Sequence, residues 1–382
     1  MKRDQLSIER QLVLLTSIEM EDSQGELLKT ILESRLDWSE VIYQMVTHRT
    51  LNMFGYNLKK FNLFNSLEAE LKRLINTQWA VYRERNHHYS QQLAQVLEVF
   101  AQSNLVLPVL KGNMLANIVY PVMETRIFND LDFLMKLEDV NQVTSALEGL
   151  GYIQGQYDEE KHAIVEATRR QKVLHQMSSH EIQEFLKLSD NPFAPLIELD
   201  VNHDILWKGK CPYRVDTREL IARAIPVEIN GAKGYMLDYI DNIIQLSCHL
   251  YKEATLMLWI VSLRDLKIYK FADLHMYIRK FKDQIDWDLL IERVKAYQLE
   301  AIVYYNFHYI EEMFGGIVPR HVVDSLRPEN LDYLDEYAIE NEQPSTWEYN
   351  FFTRLFDVNR IINLQGSQLT GMTRFLEAKF NN

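Results

Sequence analysis

The chain has 382 residues, 47% of them hydrophobic and 25% charged, enough for two or three cored units of an ordinary soluble protein. Its 41 basic residues against 54 acidic ones leave a formal net charge of −13, which argues against nucleic acid gripped through its phosphates as the main partner. No run of about eighteen apolar residues occurs, so no membrane span is expected.

The opening residues lead into an amphipathic helix and lack the apolar core and cleavage site of an export signal, so export is not expected. The two cysteines, Cys211 and Cys248, lie far apart and in no metal-ligand spacing, as expected for reduced thiols of a cytoplasmic protein. Glycine (13) and proline (9) are scarce, a balance that favours helices over a sandwich or barrel.

Residues 5–104 carry a helical pattern almost throughout. Ser66 is the expected cap of a long helix reaching about residue 103, with Leu71, Ile75, Trp79 and Tyr82 spaced as packing surface. His87 and His88 within it are adjacent, do not face each other, and read as solvated or capping residues rather than ligands. Residues 105–110 form an apolar run and a predicted strand, which Pro108 assigns to an edge or an irregular position. Lys111-Gly112-Asn113 breaks that run, and a short helix over 114–120 is expected to end at Pro121.

A second strand is predicted over 131–135 and a helix over 137–150 that Gly151 terminates. Residues 152–156, 163–165 and 173–176 are candidate strands, and 195–201 is the last clear one. Asp190-Asn191-Pro192 marks a turn between them. Residues 207–235 look less regular. The remainder is helical, with Ile285-Asp286-Trp287-Asp288 starting one helix and Gly315-Gly316 closing another. The expected organisation is a helical unit over 1–104, an α+β core over 105–206 and a helical unit over 207–382.

The chemistry concentrates at Asp130-Leu131-Asp132. On a strand this spacing puts both carboxylates on one face while Leu131 and Phe133 point the other way. Two like charges side by side call for a cation, and hard oxygen ligands of this kind suit Mg²⁺, or Mn²⁺, with a substrate's phosphates filling other positions. A third acid is expected from the strand around Leu196-Ile197-Glu198-Leu199-Asp200-Val201-Asn202, where Glu198, Asp200 and Asn202 alternate with apolar residues. Such a cradle suits two-metal phosphoryl transfer. Lys111-Gly112-Asn113 lies between strand and helix, where backbone N–H groups meet phosphate, and Lys111 and Arg126 add positive charge.

Leu110-Lys111-Gly112, Leu115, Tyr120-Pro121, Arg126 four residues before Asp130, and Asp130-Leu131-Asp132-Phe133-Leu134 together resemble the signature of the uncharacterised nucleotidyltransferase family. That family belongs to the polymerase-beta-like superfamily and is met in bacterial gene clusters for peptides and other natural products. The family's third-acid strand reads Asp-hydrophobic-His-Trp, which aligns Asp200 with the acid and Asn202 with the usual His. Glu198 is the alternative third acid, and Asn113 stands where the wider superfamily has Ser. Cys248-His249-Leu250-Tyr251-Lys252, Phe271-Ala272-Asp273-Leu274 and the 285–288 segment are similar to helical landmarks of the family, extending the resemblance over about 105–319.

The resemblance implies a helix-rich α+β fold, a small polymerase-beta-like core sheet flanked by helical units. It implies an enzyme that transfers a nucleoside monophosphate from a nucleoside triphosphate, ATP by default, to a hydroxyl, phosphate or amine acceptor. Asp130, Asp132 and Asp200 would hold the metals, and Lys111, Gly112, Asn113 and Arg126 the nucleotide. The acceptor, a small molecule, peptide, protein or RNA end, would lie between the core and the C-terminal helices. The rival expectation is a catalytically inactive binding or assembly protein that keeps the fold. A metal-dependent hydrolase is disfavoured: there is no His-Glu-x-x-His, and His249 and His275 in helical apolar stretches read as structural.

Overall fold

The computed structural model describes residues 3–209 and 211–364. Four short helices open it: α1 (Ile8–Leu15), α2 (Gly25–Leu32), α3 (Trp38–Thr47) and α4 (Leu51–Lys60). The long helix α5 (Ala69–Gln102) follows. Ser66 does not cap it. Its hydroxyl donates instead to the Leu63 carbonyl in a preceding 3-10 turn, and Glu68 occupies the cap position.

Strand β1 (Pro108–Leu110) runs into α6 (Lys111–Ile118), then come β2 (Asp130–Leu134), α7 (Val140–Gly149), β3 (Ile153–Asp158), β4 (Ala163–Glu166), α8 (Arg169–Ser178), β5 (Phe185–Leu188) and β6 (Leu196–Asn202). After the short α9 (Thr217–Ala222), the hairpin β7 (Ile225–Ile229) and β8 (Ala232–Met236) returns to the sheet. Helices α10 (Tyr239–Thr255), α11 (Met257–Val261), α12 (Ile268–Phe281), α13 (Trp287–Ala296), α14 (Glu300–Phe314), α15 (Arg320–Leu326) and α16 (Phe351–Phe356) complete the described chain, with a small hairpin, β9 (Glu336–Tyr337) and β10 (Ser345–Thr346), before α16.

The fold is helix-rich α+β around one mixed eight-stranded sheet of order β4-β3-β5-β6-β2-β1-β8-β7. Strand β1 is interior, antiparallel to β2 and parallel to β8, not the edge strand expected from its proline. Pro108 is its first residue, where a missing N–H costs the ladder least. Two further expectations give way. Residues 173–176 lie in α8, which starts with a Thr168–Gln171 capping box, rather than in a strand. The stretch before residue 235 contains β7 and β8, a hairpin turned at Asn230 and Gly231, both with positive φ.

Helix α5 lies across the apolar face of the sheet, burying Leu93, Val96, Leu97 and Phe100. Phe100 meets Phe133 edge-on at 5.2 Å, and Leu97 sits over Gly234, where a Cβ would come within 2.7 Å of it. Leu131, Phe133, Ile197, Leu199 and Val201 are all fully buried, which fixes the register of β2 and β6 and turns their polar residues to the opposite face. Helix α10, with fifteen buried residues, packs with α12 and α14 beside that opposite face. The N-terminal helices close on them: the amide of Ile268 donates to His48, and Arg279 donates to the Glu19 carbonyl at 2.6 Å.

Candidate active site

Strands β2 and β6 are parallel and in register, with Asp130 opposite Glu198 and Asp132 opposite Asp200. Side chains of such pairs share a face, so four acids stand in a two-by-two block. Carboxylate oxygens of Asp130, Asp132 and Asp200 all lie within 4.8 Å of one another, the one such group of three among the described residues. Glu198 lines the same cleft outside that trio.

The crowding has an electrostatic cost. Burial, with Glu181, Asp132 and Asp130 nearby, drives the Asp200 carboxyl well above its ordinary range. Burial also raises Asp132 despite the opposing pull of Lys111, and burial together with Asp130 raises Glu198. Such a set favours a cation between the carboxylates, and an all-oxygen donor set of this charge suits Mg²⁺ or Mn²⁺. One cation is supplied by the chain. Lys111 Nζ lies 2.7 Å from Asp132 Oδ1. Burial works against the Lys111 ammonium, but Asp132, Asp130 and Asp200 outweigh it and hold its pKa above the usual lysine value.

Lys111 reaches that position because β1 passes into α6 with no loop. The turn is made at Lys111 itself, at φ +45°, a left-handed conformation that costs a non-glycine residue roughly 1–2 kcal/mol. Gly112 follows against Phe128, and a Cβ there would stand 2.6 Å from that residue's Cβ. Both Lys111 and Gly112 line a cleft of about 500 Å³ together with the acids. Asn113 does not line it: its side chain is buried and accepts from Asn117 at 2.7 Å. Asn202 is likewise buried beneath the strands, donating to the Phe133 carbonyl at 3.2 Å.

Arg126 lines the cleft but is held from behind. Its guanidinium donates to both oxygens of Asp273 on α12, at 2.7 and 2.6 Å, and stacks over Tyr269 at 4.4 Å. Tyr120 donates to the same carboxylate at 2.7 Å. The opposite wall comes from elements in which the sequence shows only helical pattern. The α3–α4 turn contributes Arg49, α10 contributes His249, Lys252 and Glu253, and residues 264–273 contribute Arg264, Lys267, Tyr269, Lys270 and Asp273.

His249 sits 3.3 Å from Glu253, which also pairs with Lys270. Burial, reinforced by Lys111 and Lys252, keeps the His249 imidazole far below its ordinary pKa and therefore neutral. His275, by contrast, packs in the core edge-on to Phe314 at 5.2 Å. The placement of His249, Lys252 and Asp273 had a signal, since all three fall in family-like helical landmarks. Arg49, Arg264 and Lys267 had none, being isolated charges on helical segments.

The model of a protein family described as "uncharacterised nucleotidyltransferase" matches residues 34–315, well over half of the chain. The chain belongs to this family. As a nucleotidyltransferase-family member it carries clustered aspartates of the kind that two-metal catalysis uses. The match begins upstream of the resemblance visible in the motifs and takes in α3, α4 and α5, so the helices that bring Arg49 to the cleft belong to the family's common extent. No curated protein and no solved structure matches the chain.

Proposed function

We propose that this nucleotidyltransferase-family protein moves a nucleoside monophosphate, AMP by first expectation, from an Mg²⁺-bound nucleoside triphosphate to a hydroxyl, phosphate or amine acceptor. The observation that carries this reading is the convergence of Asp130, Asp132 and Asp200 within 4.8 Å, on a cleft large enough for a nucleotide. Asp130 and Asp132 would hold both divalent ions and Asp200 the ion on the nucleophile's side. Ions held there would polarise the phosphoryl group, activate the attacking oxygen and neutralise the departing pyrophosphate.

The chain's own groups do the rest. The backbone N–H groups of Gly112 and Asn113, in the first turn of α6, have no intrahelical partner and would be the donors to the nucleotide's phosphates. Lys111, on the same turn, is placed to exchange Asp132 for a phosphate oxygen once a metal takes over that carboxylate. Arg126, braced by Asp273 and Tyr269, offers a fixed positive charge at the cleft edge. The acceptor would enter between the sheet and α10–α12, as a small molecule, peptide or protein.

No described helix is long and apolar enough to cross a membrane; the cytoplasmic setting we assign rests on Cys211 and Cys248, two buried thiols in no metal-ligand spacing. The test is turnover of α-labelled nucleoside triphosphates with Mg²⁺ or Mn²⁺, on the intact chain and on Asp130→Asn, Asp132→Asn and Asp200→Asn. Passage of the α-label onto an acceptor, with pyrophosphate released, by the intact chain alone supports transfer. Nucleotide binding without any metal-dependent release, in the presence of candidate hydroxyl, phosphate and amine acceptors, would instead make the chain a binding module with a retained fold.

A further inference from the structure

The cations lining the cleft fall into two groups. Lys111 pairs with Asp132, Arg126 with Asp273 and Lys270 with Glu253. Arg85 donates to the Phe128 carbonyl and to Asn129, and Lys252 meets His180 at 3.1 Å. Arg49, Arg264 and Lys267, also on the cleft wall, make no ion pair among the described residues, although Glu198 is within electrostatic reach of Arg264 and Asp265 of Lys267. In a chain with thirteen more acids than bases, three cations on one cleft wall without an ion pair make a local positive patch that an anion can occupy.

Arg264 and Lys267 share the connection between α11 and α12, and packing brings Arg49, from the α3–α4 turn, onto the same cleft. Arg49 at the α3–α4 turn is laid over the Tyr269 ring at 5.3 Å, the same ring that Arg126 meets at 4.4 Å. Arg264 is close enough to Glu198 to lower that acid's pKa, which sets it near the strand carboxylates. Lys267 lies among like charges. Burial, then Arg360, depresses its pKa to about 8 against the opposing pull of Asp265, with Lys270 and Arg49 adding to the depression, and Asp265 is itself paired with Arg360.

We propose that Arg49, Arg264 and Lys267, on the cleft wall built by the α3–α4 turn and the α11–α12 connection, form a phosphate-binding subsite, taking a phosphate group of the nucleotide's tail or of a phosphorylated acceptor. The role given to this subsite in transfer rests on the nucleotidyltransferase reading, but its capacity to bind phosphate stands on charge alone. A phosphate brings two negative charges into a partly dehydrated cleft, where guanidinium and ammonium donors are stronger than in water.

The probe is inorganic tripolyphosphate without metal, titrated calorimetrically into the intact chain, Arg264→Glu, Lys267→Ala and Arg49→Ala. Thermal unfolding checks that each variant is folded, and Lys267→Arg serves as a conservative rescue. We expect salt-sensitive binding by the intact chain, weakened at least tenfold in Arg264→Glu and Lys267→Ala and restored in Lys267→Arg. Unchanged tripolyphosphate affinity in folded variants, or no binding by the intact chain, overturns the subsite. Mn²⁺ binding, followed by electron paramagnetic resonance, reports the aspartates separately: it should survive all three substitutions, and its absence from the intact chain would count against the transfer reading alone. Loss of nucleotide affinity in the variants assigns the subsite to the triphosphate tail. Phosphate binding that persists beside saturating nucleotide and Mn²⁺, and is lost in the variants, assigns it to the acceptor.

Discussion

Arg126 and Asp273 join the sheet to the C-terminal helices through a two-pronged ion pair, Nε and Nη2 of the one donating to the two carboxylate oxygens of the other at 2.7 and 2.6 Å. Both groups are nearly inaccessible, with side chains 8% and 6% exposed. Removing one partner strands a buried charge, at a cost of roughly 3–5 kcal/mol. Asp273→Ala should therefore lower the urea midpoint by far more than the paired replacement Arg126→Met with Asp273→Leu, and equal losses from both would show that the pair is not the tie described.

Gly112→Ala should destabilise the fold. The added methyl carbon meets Phe128 Cβ at 2.6 Å, a contact with a stiff atom next to the backbone rather than a side-chain end that could swing away. Overpacking of this kind costs about 1–3 kcal/mol. Because Lys111 precedes it on the same turn, the substitution should also weaken Mn²⁺-dependent nucleotide binding, measured on folded protein well below the midpoint.

Lys111→Met should make metal binding more demanding of pH. The ammonium opposes the rise that burial imposes on the Asp132 carboxyl, so without it that carboxyl holds its proton to a higher pH. A metal ion competes with that proton. Mn²⁺ titrations at a series of pH values should show the midpoint of binding moved upward in the variant, and a midpoint left in place or moved down contradicts the electrostatic role given to Lys111.

Asp200→Asn should stabilise the metal-free chain while abolishing stabilisation by metal. Burial and neighbouring acids raise the folded pKa of Asp200 above its unfolded value of ~3.9, so the native state holds that proton more tightly and loses stability as pH rises through the interval. The penalty grows as pH rises above the unfolded value, and a neutral amide removes it. Thermal scans in a chelator should place the variant higher, by about 1 °C for each kcal/mol relieved in a chain of 382 residues. Added Mg²⁺ should raise the melting temperature of the parent chain only.

His275 predicts the acid limb of stability. Burial, then Arg279, lowers its pKa to about 3, so the folded chain cannot take up the proton that the unfolded chain accepts below ~6.5. Its contribution is complete above that value and is lost as pH falls toward 3. Between pH 7 and 5 the loss from this one group is about 2 kcal/mol. His275→Leu should flatten the decline in urea midpoint over that range, and a parallel decline would mean that the ring is protonated in place.

Much of this was legible in the chain, for reasons that differ by residue. Asp130, Asp132 and Asp200 could be placed because strand alternation ties each acid to apolar neighbours that must be buried. Lys111 and Gly112 could be placed because they interrupt an apolar run. The strands β5, β7 and β8 could not: Phe185–Leu188 is embedded in polar sequence, and β7–β8 owes its position to pairing with β1 more than a hundred residues earlier. Residues 173–176 went the other way, as a local apolar run that a capping box draws into a helix. The basic wall was invisible because Arg49 joins Arg264 and Lys267, more than two hundred residues later, only when the N- and C-terminal helices pack.

The pairing of Asp132 with Asp200 and of Phe133 with Val201 belongs to one ladder. A slip of a single residue between these strands would send the carboxylates into the core under α5 and bring the valine and leucines into the cleft. The ligand set therefore cannot be assembled wrongly in an otherwise sound molecule. A chain that has buried its core has, by the same act, aimed its aspartates, and a one-residue deletion within β6 should surface as insoluble protein rather than as an intact but silent enzyme.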